Sequence, residues 1–304
     1  MIIVCGIASE PPVARVTAEL DALGLPYAVL HQRRFRELPF DGEVSASGLR
    51  GHLAYDGGSV DLAAVTGVFS RPMDWRRLPE VKDADEDAHR RCERWHSALS
   101  TWLELAPGCV MNRDSAMASN MSKPHQAQLI QRTGFRVPET LVTNDPELVE
   151  EFRAQHGELV YKSISGVRSI VRTLDRAAIE RLPFIRYCPV QFQRRVTGTN
   201  LRVHTVAGAV FATRIETDRV DYRYAHSDGG QAELSAWQPP DELAERCLHL
   251  AGRLGLALAG IDLMLADDGE VYCFEVNPCP AYTYYQAHTG QPIARAVALA
   301  LARG

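Results

Sequence analysis

Lysine is nearly absent from this sequence: only Lys82, Lys123 and Lys162 carry it, against thirty arginines among 33 basic residues. Where lysine persists against such a bias, its compact ammonium chemistry marks a position to inspect. The seven cysteines, at 5, 92, 109, 188, 247, 273 and 279, form no CxxC pair. Their scatter argues against a zinc cluster or disulfide framework and for a reducing compartment, with most of them as small core residues. No apolar run approaches the roughly 18 residues of a membrane span, so no membrane partner is expected. The opening MIIVCGIASE lacks a basic leader and reads as a buried strand, which makes a cytoplasmic location the expectation. A formal charge of -5 offers no general attraction to nucleic acid. GxGxxG, internal repeats and low-complexity linkers are missing as well, so a dinucleotide site is not expected.

What is present is an ordinary globular composition, 46% hydrophobic and 23% charged over 304 residues, long enough for two or three domain-sized units. The first unit alternates strand and helix. IIVCGI is a continuous apolar strand, and Val13, Val16, Leu20 and Leu23 follow at helical spacing up to Gly24. YAVL and GVFSR read as further strands, HLAYDGGSVDL as a small hairpin, and residues 84–106 as a long helix stopped by Pro107 and Gly108. The pattern is an α/β unit of Rossmann-like character. A second unit opens on SNMSKPHQAQLIQRTG, with Ser122 as helix cap, Pro124 in the first turn and Gly134 at the end. A third begins near CPVQFQRRV and runs through a hairpin, LRVHTVAGAVFATRIE, and a helix burying Leu243, Cys247, Leu250 and Leu254.

The last hairpin, GIDLMLADDGEVYCFEVNP, raises a physical problem. With Asp268 and Gly269 as a two-residue turn, Leu265 pairs with Tyr272, Leu263 with Phe274 and Asp262 with Glu275. Like charges directly opposite on a sheet repel. Alternation puts Asn277 on the same face, so three hard oxygen ligands converge, the chemistry of a magnesium site. A solvated polar face or a shared-proton acid pair is the bland alternative.

Other positions carry similar pairs of readings. Lys162, flanked on its face by Val160 and Ile164, either snorkels or meets an anion; the following SISGVRS turn, with Ser165, Gly166 and Arg168, suits phosphate oxygens. Arg202 points to the face of Asn200 and His204, where it meets either an acid or a metal-bound triphosphate. His204 reads as a structural histidine rather than a base. Arg214 and Arg223 are either salt-bridged surface residues or partners of a substrate carboxylate or phosphate.

From about residue 112 to 304 the chain resembles the ATP-grasp superfamily, specifically the RimK-like ligases, on GIDLM and DGEVYCFEVNPCP and on QFQRRVTGTNLRVHTVAG. MNRDSAMASNMSKPHQAQLIQRTGFRVPETLVTNDP and DYR are similar to the microviridin and graspetide peptide-cyclising ligases. The resemblance implies an α+β ATP-grasp fold, with a pre-ATP-grasp domain over 1–111 and ATP-clamping subdomains over 112–190 and 191–304. It implies ATP and Mg2+ as cofactors and puts Lys123 and Lys162 on the phosphates, under a lid formed by residues 163–169. The backbone of Gln191, Phe192 and Gln193 would meet adenine, Asn200 and Arg202 the ribose and γ-phosphate, and Asp262, Glu275 and Asn277 the metal. Gln191 stands where many relatives have an acidic residue, and the glycine-poor loop offers Arg168 in place of a backbone-only cradle.

The chemistry so implied is an ADP-forming ligase that activates a carboxylate as an acyl phosphate for attack by an amine or hydroxyl. Lys162, Arg202, Arg214 and Arg223 are the expected catalytic cations. A ribosomally made peptide is the expected substrate; a small-molecule amino-acid or dipeptide ligase and a non-catalytic nucleotide-binding regulator are the alternatives. Relatives imply a homodimer. AYTYYQAHTG, after the metal hairpin, either lines an acceptor pocket or packs as aromatic core.

Overall fold

The computed structural model describes residues 1–304 except 47, 56, 165–169 and 218–231. Its first element, β1 (Ile2–Gly6), is buried at every position, which is what an unbroken apolar run produces in a sheet covered on both faces. After it come α1 (Pro11–Ala22), β2 (Tyr27–His31), β3 (Phe40–Ser45), β4 (Gly48–Tyr55), β5 (Gly58–Asp61), β6 (Gly67–Ser70), α2 (Pro79–Lys82), α3 (Glu86–Leu105) and β7 (Cys109–Met111). Strands pair in parallel in the order β2-β1-β6-β7, while β3, β4 and β5 form a separate antiparallel sheet.

The middle of the chain supplies α4 (Asp114–Met117), α5 (Lys123–Gln131), β8 (Thr140–Thr143), α6 (Pro146–His156), β9 (Leu159–Ser163), β10 (Arg172–Thr173), α7 (Arg176–Glu180) and β11 (Val190–Arg194). Ser122 occupies the cap position of α5, but its side chain makes no capping hydrogen bond. The four strands form one sheet in the order β10-β9-β11-β8. Strand β11 therefore crosses the 190/191 boundary expected from the sequence and belongs with the central sheet.

A five-stranded antiparallel sheet follows, ordered β14-β13-β12-β15-β16. Its strands are β12 (Gly198–Val206), β13 (Ala209–Thr217), β14 (Ala232–Trp237), β15 (Leu258–Ala266) and β16 (Val271–Asn277), with α8 (Asp241–Arg253) between β14 and β15. One face packs Leu201, Val203, Ile261, Leu263, Cys273 and Val276 against Leu243, Cys247 and Leu250 of α8. The chain ends in α9 (Tyr282–Thr289) and α10 (Ile293–Arg303).

The last helix returns to the beginning. Ile293, Val297 and Leu301 of α10 share one core with Ile2 and Val4 of β1 and Val13, Val16 and Leu20 of α1. Each such fully buried side chain contributes about 1.5–3 kcal/mol of transfer free energy. The N-terminal layer is thus completed by the C-terminus, a closure that no local sequence pattern announces. Of the cysteines, Cys5, Cys92, Cys247 and Cys273 are buried and Cys188 and Cys279 exposed. Among the described residues no helix is long and apolar enough to cross a membrane.

Candidate functional site

The acid pair is formed, by a different route from the one the sequence suggests. The hairpin turn is not the two residues Asp268 and Gly269: Ala266 N–H donates to Glu270 O (2.9 Å) and Gly269 N–H to Ala266 O (2.9 Å), so three residues span it. Gly269 takes φ +84°, a left-handed conformation that glycine adopts without steric cost. This turn pairs Leu265 with Val271, Met264 with Tyr272 and Leu263 with Cys273, each one residue away from the expected register. A β-bulge between Asp262 and Leu263 on the partner side then restores Asp262 opposite Glu275, Ile261 opposite Val276 and Gly260 opposite Asn277. Cys273 and Val276 both enter the α8 core, three apart instead of two or four, because Phe274 and Glu275 share the bulge.

On the face away from α8 the polar groups converge. Asn277 Nδ2 lies 3.2 Å from both Asp262 Oδ2 and Glu275 Oε1. Arg202, 5% exposed, donates from Nη1 to Asp262 Oδ1 at 2.6 Å, and Lys123 Nζ lies 3.2 Å from Glu275 Oε2. Among the described residues two side-chain cations therefore stand against two carboxylates, Lys123 against Glu275 and Arg202 against Asp262.

Arg202 is held from every side. His204 Nε2 faces its Nε at 3.4 Å, and the Tyr285 ring centroid lies 5.4 Å from its guanidinium carbon. Arginine only donates, so Nε2 of His204 is the bare nitrogen and the proton sits on Nδ1. Burial, and then the charge of Arg202, hold the His204 pKa well below its ordinary value, which keeps the ring neutral. Gly260 leaves the room that the guanidinium fills: a Cβ there would lie 2.1 Å from Arg202 Nη2 and 2.7 Å from Pro280 Cβ. Glycine inside a strand signals such an approach, a signal present at Gly260 in the sequence. In AYTYYQAHTG, Tyr282 and Tyr285 are buried and Tyr284 is 39% exposed, with Tyr285 serving both core and site.

A second group lies on the central sheet. Lys162 of β9, 7% exposed, pairs directly with Gln191 of β11, which is 2% exposed. Gln191 Oε1 is buried with no hydrogen-bond partner among the described residues, whereas Gln193 donates to Thr140 Oγ1 at 2.9 Å. Strand β11 is paired on both sides, with β9 and β8, over residues 190–193. Phe192 turns its ring into the core with Val149 and Leu159.

The structure does not bring Arg214 to the cluster. It pairs with Leu201, on the α8 face of the sheet, and its exposed guanidinium meets Glu216 at 3.1 Å. Asn200 shares the face of Arg202 at the far end of β12, opposite Met264. Ser165, Gly166, Arg168 and Arg223 lie outside the described residues.

The residues present fit a nucleotide and a divalent cation. The Asn277 amide lies 3.2 Å from each of two carboxylates, and rotation of that amide exchanges its nitrogen for an oxygen ligand. The orphaned Gln191 acceptor beside a buried lysine suits a base bearing an amino group, next to its phosphates.

Residues 121–282, more than half of the chain, match the model of the ATP-grasp domain. A probable alpha-L-glutamate ligase of Aliivibrio salmonicida is 23% identical over 209 residues, covering 65% of this chain and 68% of that protein. The solved ATP-grasp ligase PsnB, complexed with minimal precursor, Mg and ADP, superposes with a TM-score of 0.80 at 28% identity, covering 99% of this chain and 96% of PsnB. The fold also matches the macrocyclase MdnC from Microcystis aeruginosa bound with precursor peptide MdnA, with a TM-score of 0.79, 19% identity and 99% of each chain covered. With a domain match that runs from α5 through the bulged hairpin to the first residue of α9, the chain belongs to the ATP-grasp family.

Proposed function

We propose that this protein is an ATP-dependent ligase that activates a carboxylate of a peptide as an acyl phosphate and joins it to an amine or hydroxyl. The observation that carries the reading is the Asp262, Glu275 and Asn277 cluster, balanced by Lys123 and Arg202, on an ATP-grasp frame. The peptide as substrate is supported by the superposition on PsnB complexed with minimal precursor, with a TM-score of 0.80 at 28% identity.

In this reading Asp262, Glu275 and Asn277 hold Mg2+, which when bound neutralises phosphate charge and polarises the transferring phosphoryl group. Lys162 binds the nucleotide phosphates, and Gln191 Oε1 accepts from the adenine amino group. Arg202 carries the charge that develops on the γ-phosphoryl group while the substrate carboxylate attacks it and ADP leaves. Its position is fixed beforehand by Asp262, His204 and Tyr285, so little reorganisation accompanies the step. The amine or hydroxyl then displaces phosphate from the acyl phosphate, forming an amide or ester. Asn200 stands beside the ribose. The bounds of the units are 1–111, 112–194 and 195–304, following the sheets.

ADP release from Mg2+-ATP, with a host extract divided into peptide and small-molecule fractions, tests this. Stimulation by the peptide fraction, with a product lighter by one water per bond, is expected. Stimulation by small molecules alone would favour a small-molecule amino-acid or dipeptide ligase. Silence from both would remove the ligase reading.

A further inference from the structure

We infer that Gln126 is a positioning residue that locks the β16 bulge and thereby sets Glu275 and Asn277 at the cluster; the inference rests on the reading of that cluster as a cation site.

The three-residue turn imposes a register in which Leu263 faces Cys273. Continued without a bulge, it would pair Asp262 with Phe274 and Ile261 with Glu275, turning the carboxylate toward the apolar side that Ile261 shares with α8. The acid pair therefore depends on one extra residue staying between Cys273 and Val276. Strand β16 is the edge of its sheet, so among the described residues no further strand holds that residue in place.

Two groups from outside the sheet bracket the bulge. On the turn side, Cys273 N–H donates to Arg136 O at 2.8 Å. On the other side, Val276 N–H donates to Gln126 Oε1 at 3.0 Å and Gln126 Nε2 donates to Val276 O at 2.9 Å. One primary amide thus pairs with both main-chain groups of Val276, as a neighbouring strand would, between the two ligand positions. Gln126 is 3% exposed and sits three residues after Lys123 in α5, so one helix face holds both the backbone beside Glu275 and its charge. Neither bond reaches a reacting group, which makes Gln126 a residue that acts through others.

The test reads metal binding directly. Mn2+ binding with ADP present is followed by electron paramagnetic resonance in wild type, Gln126→Met and Gln126→Glu, alongside thermal melting. Gln126→Met, of similar length but without hydrogen-bonding capacity, is expected to weaken Mn2+ by about 10-fold or more, the loss typical of residues that orient metal ligands. Gln126→Glu keeps the acceptor for Val276 N–H and is expected to fall between; it carries the test if the methionine variant does not fold. Unchanged Mn2+ affinity in a folded variant, whatever its melting temperature, overturns the inference. Failure of the wild type itself to bind Mn2+ would instead overturn the reading of the cluster.

Discussion

The parallel sheet at the start of the chain and the antiparallel sheet near its end meet in one core, where Val206 and Leu258 join Ile2, Val4 and Phe69, yet they use their faces differently. In the parallel sheet both faces are covered. One side of β1 packs on α1 and α10, and the other, through Ile3 and Cys5, on Leu99, Trp102 and Leu103 of α3. In the antiparallel sheet period-two alternation divides the labour: α8 covers one face, and the other presents Asn200, Arg202, His204, Asp262, Glu275 and Asn277. A sheet anchored through one face can spend the other on charge. Substitutions on the polar face should therefore damage activity more than fold.

The largest expected effect comes from Glu275→Gln. Turnover should drop by about 100-fold or more, as when a preorganised electrostatic group is removed. The substitution removes the ion pair of Glu275 with partly buried Lys123, which should cost about 1–3 kcal/mol, between exposed and buried ion pairs. Steady-state kinetics with denaturant unfolding separates the two, and full turnover would break the division of labour.

Gly260→Ala comes next. Its methyl group would occupy the space of the Arg202 guanidinium, so overpacking should cost about 1–3 kcal/mol and turnover should fall as Arg202 leaves Asp262. An alanine variant with wild-type kinetics would show that Arg202 need not sit there.

Each region also draws a histidine away from water, His204 completely and His96 in part, and pH compares them. Burial lowers the pKa of His96 in α3 and, more strongly, of His204, from an ordinary 6.5. The unfolded chain then takes up protons first as pH falls, so stability is full above about 6.5 and declines below it. Urea unfolding between pH 7 and 5 should show that decline, and His96→Gln should flatten it. A slope unchanged by the substitution would remove His96 from the account.

The smallest effect sharpens the contrast. Arg214→Ala, on the α8 face with its guanidinium on Glu216, should change stability by no more than about 0.5 kcal/mol and leave turnover intact. Lost turnover would bring that arginine into the site after all.

Much of this was legible in the sequence where one period governs a whole element. The apolar run of β1, the spacing of Val13, Val16 and Leu20, and the buried face of α8 all stand as read. Asp262 opposite Glu275 was legible too, through two deviations that cancel: a turn one residue longer than expected and a bulge that adds one residue to β16. Periodicity alone does not disclose a bulge, because its cause lies across space, in Arg136 and Gln126. Gln126 carried a faint signal as a polar residue four before Ile130 on the buried side of α5. Tertiary placement hid the rest. Nothing local told that α10 would close the first sheet, or that Arg214 would fall one position out of phase with the face of Arg202.

The central claim is that the acid hairpin and its two balancing cations form a Mg2+-dependent nucleotide site. Calorimetric titration of ADP into wild type and Glu275→Gln, each with and without Mg2+, tests it most directly. The account predicts that Mg2+ tightens ADP binding in the wild type and loses that effect in Glu275→Gln, while metal-free binding stays similar. Equal enhancement by Mg2+ in both proteins would contradict it.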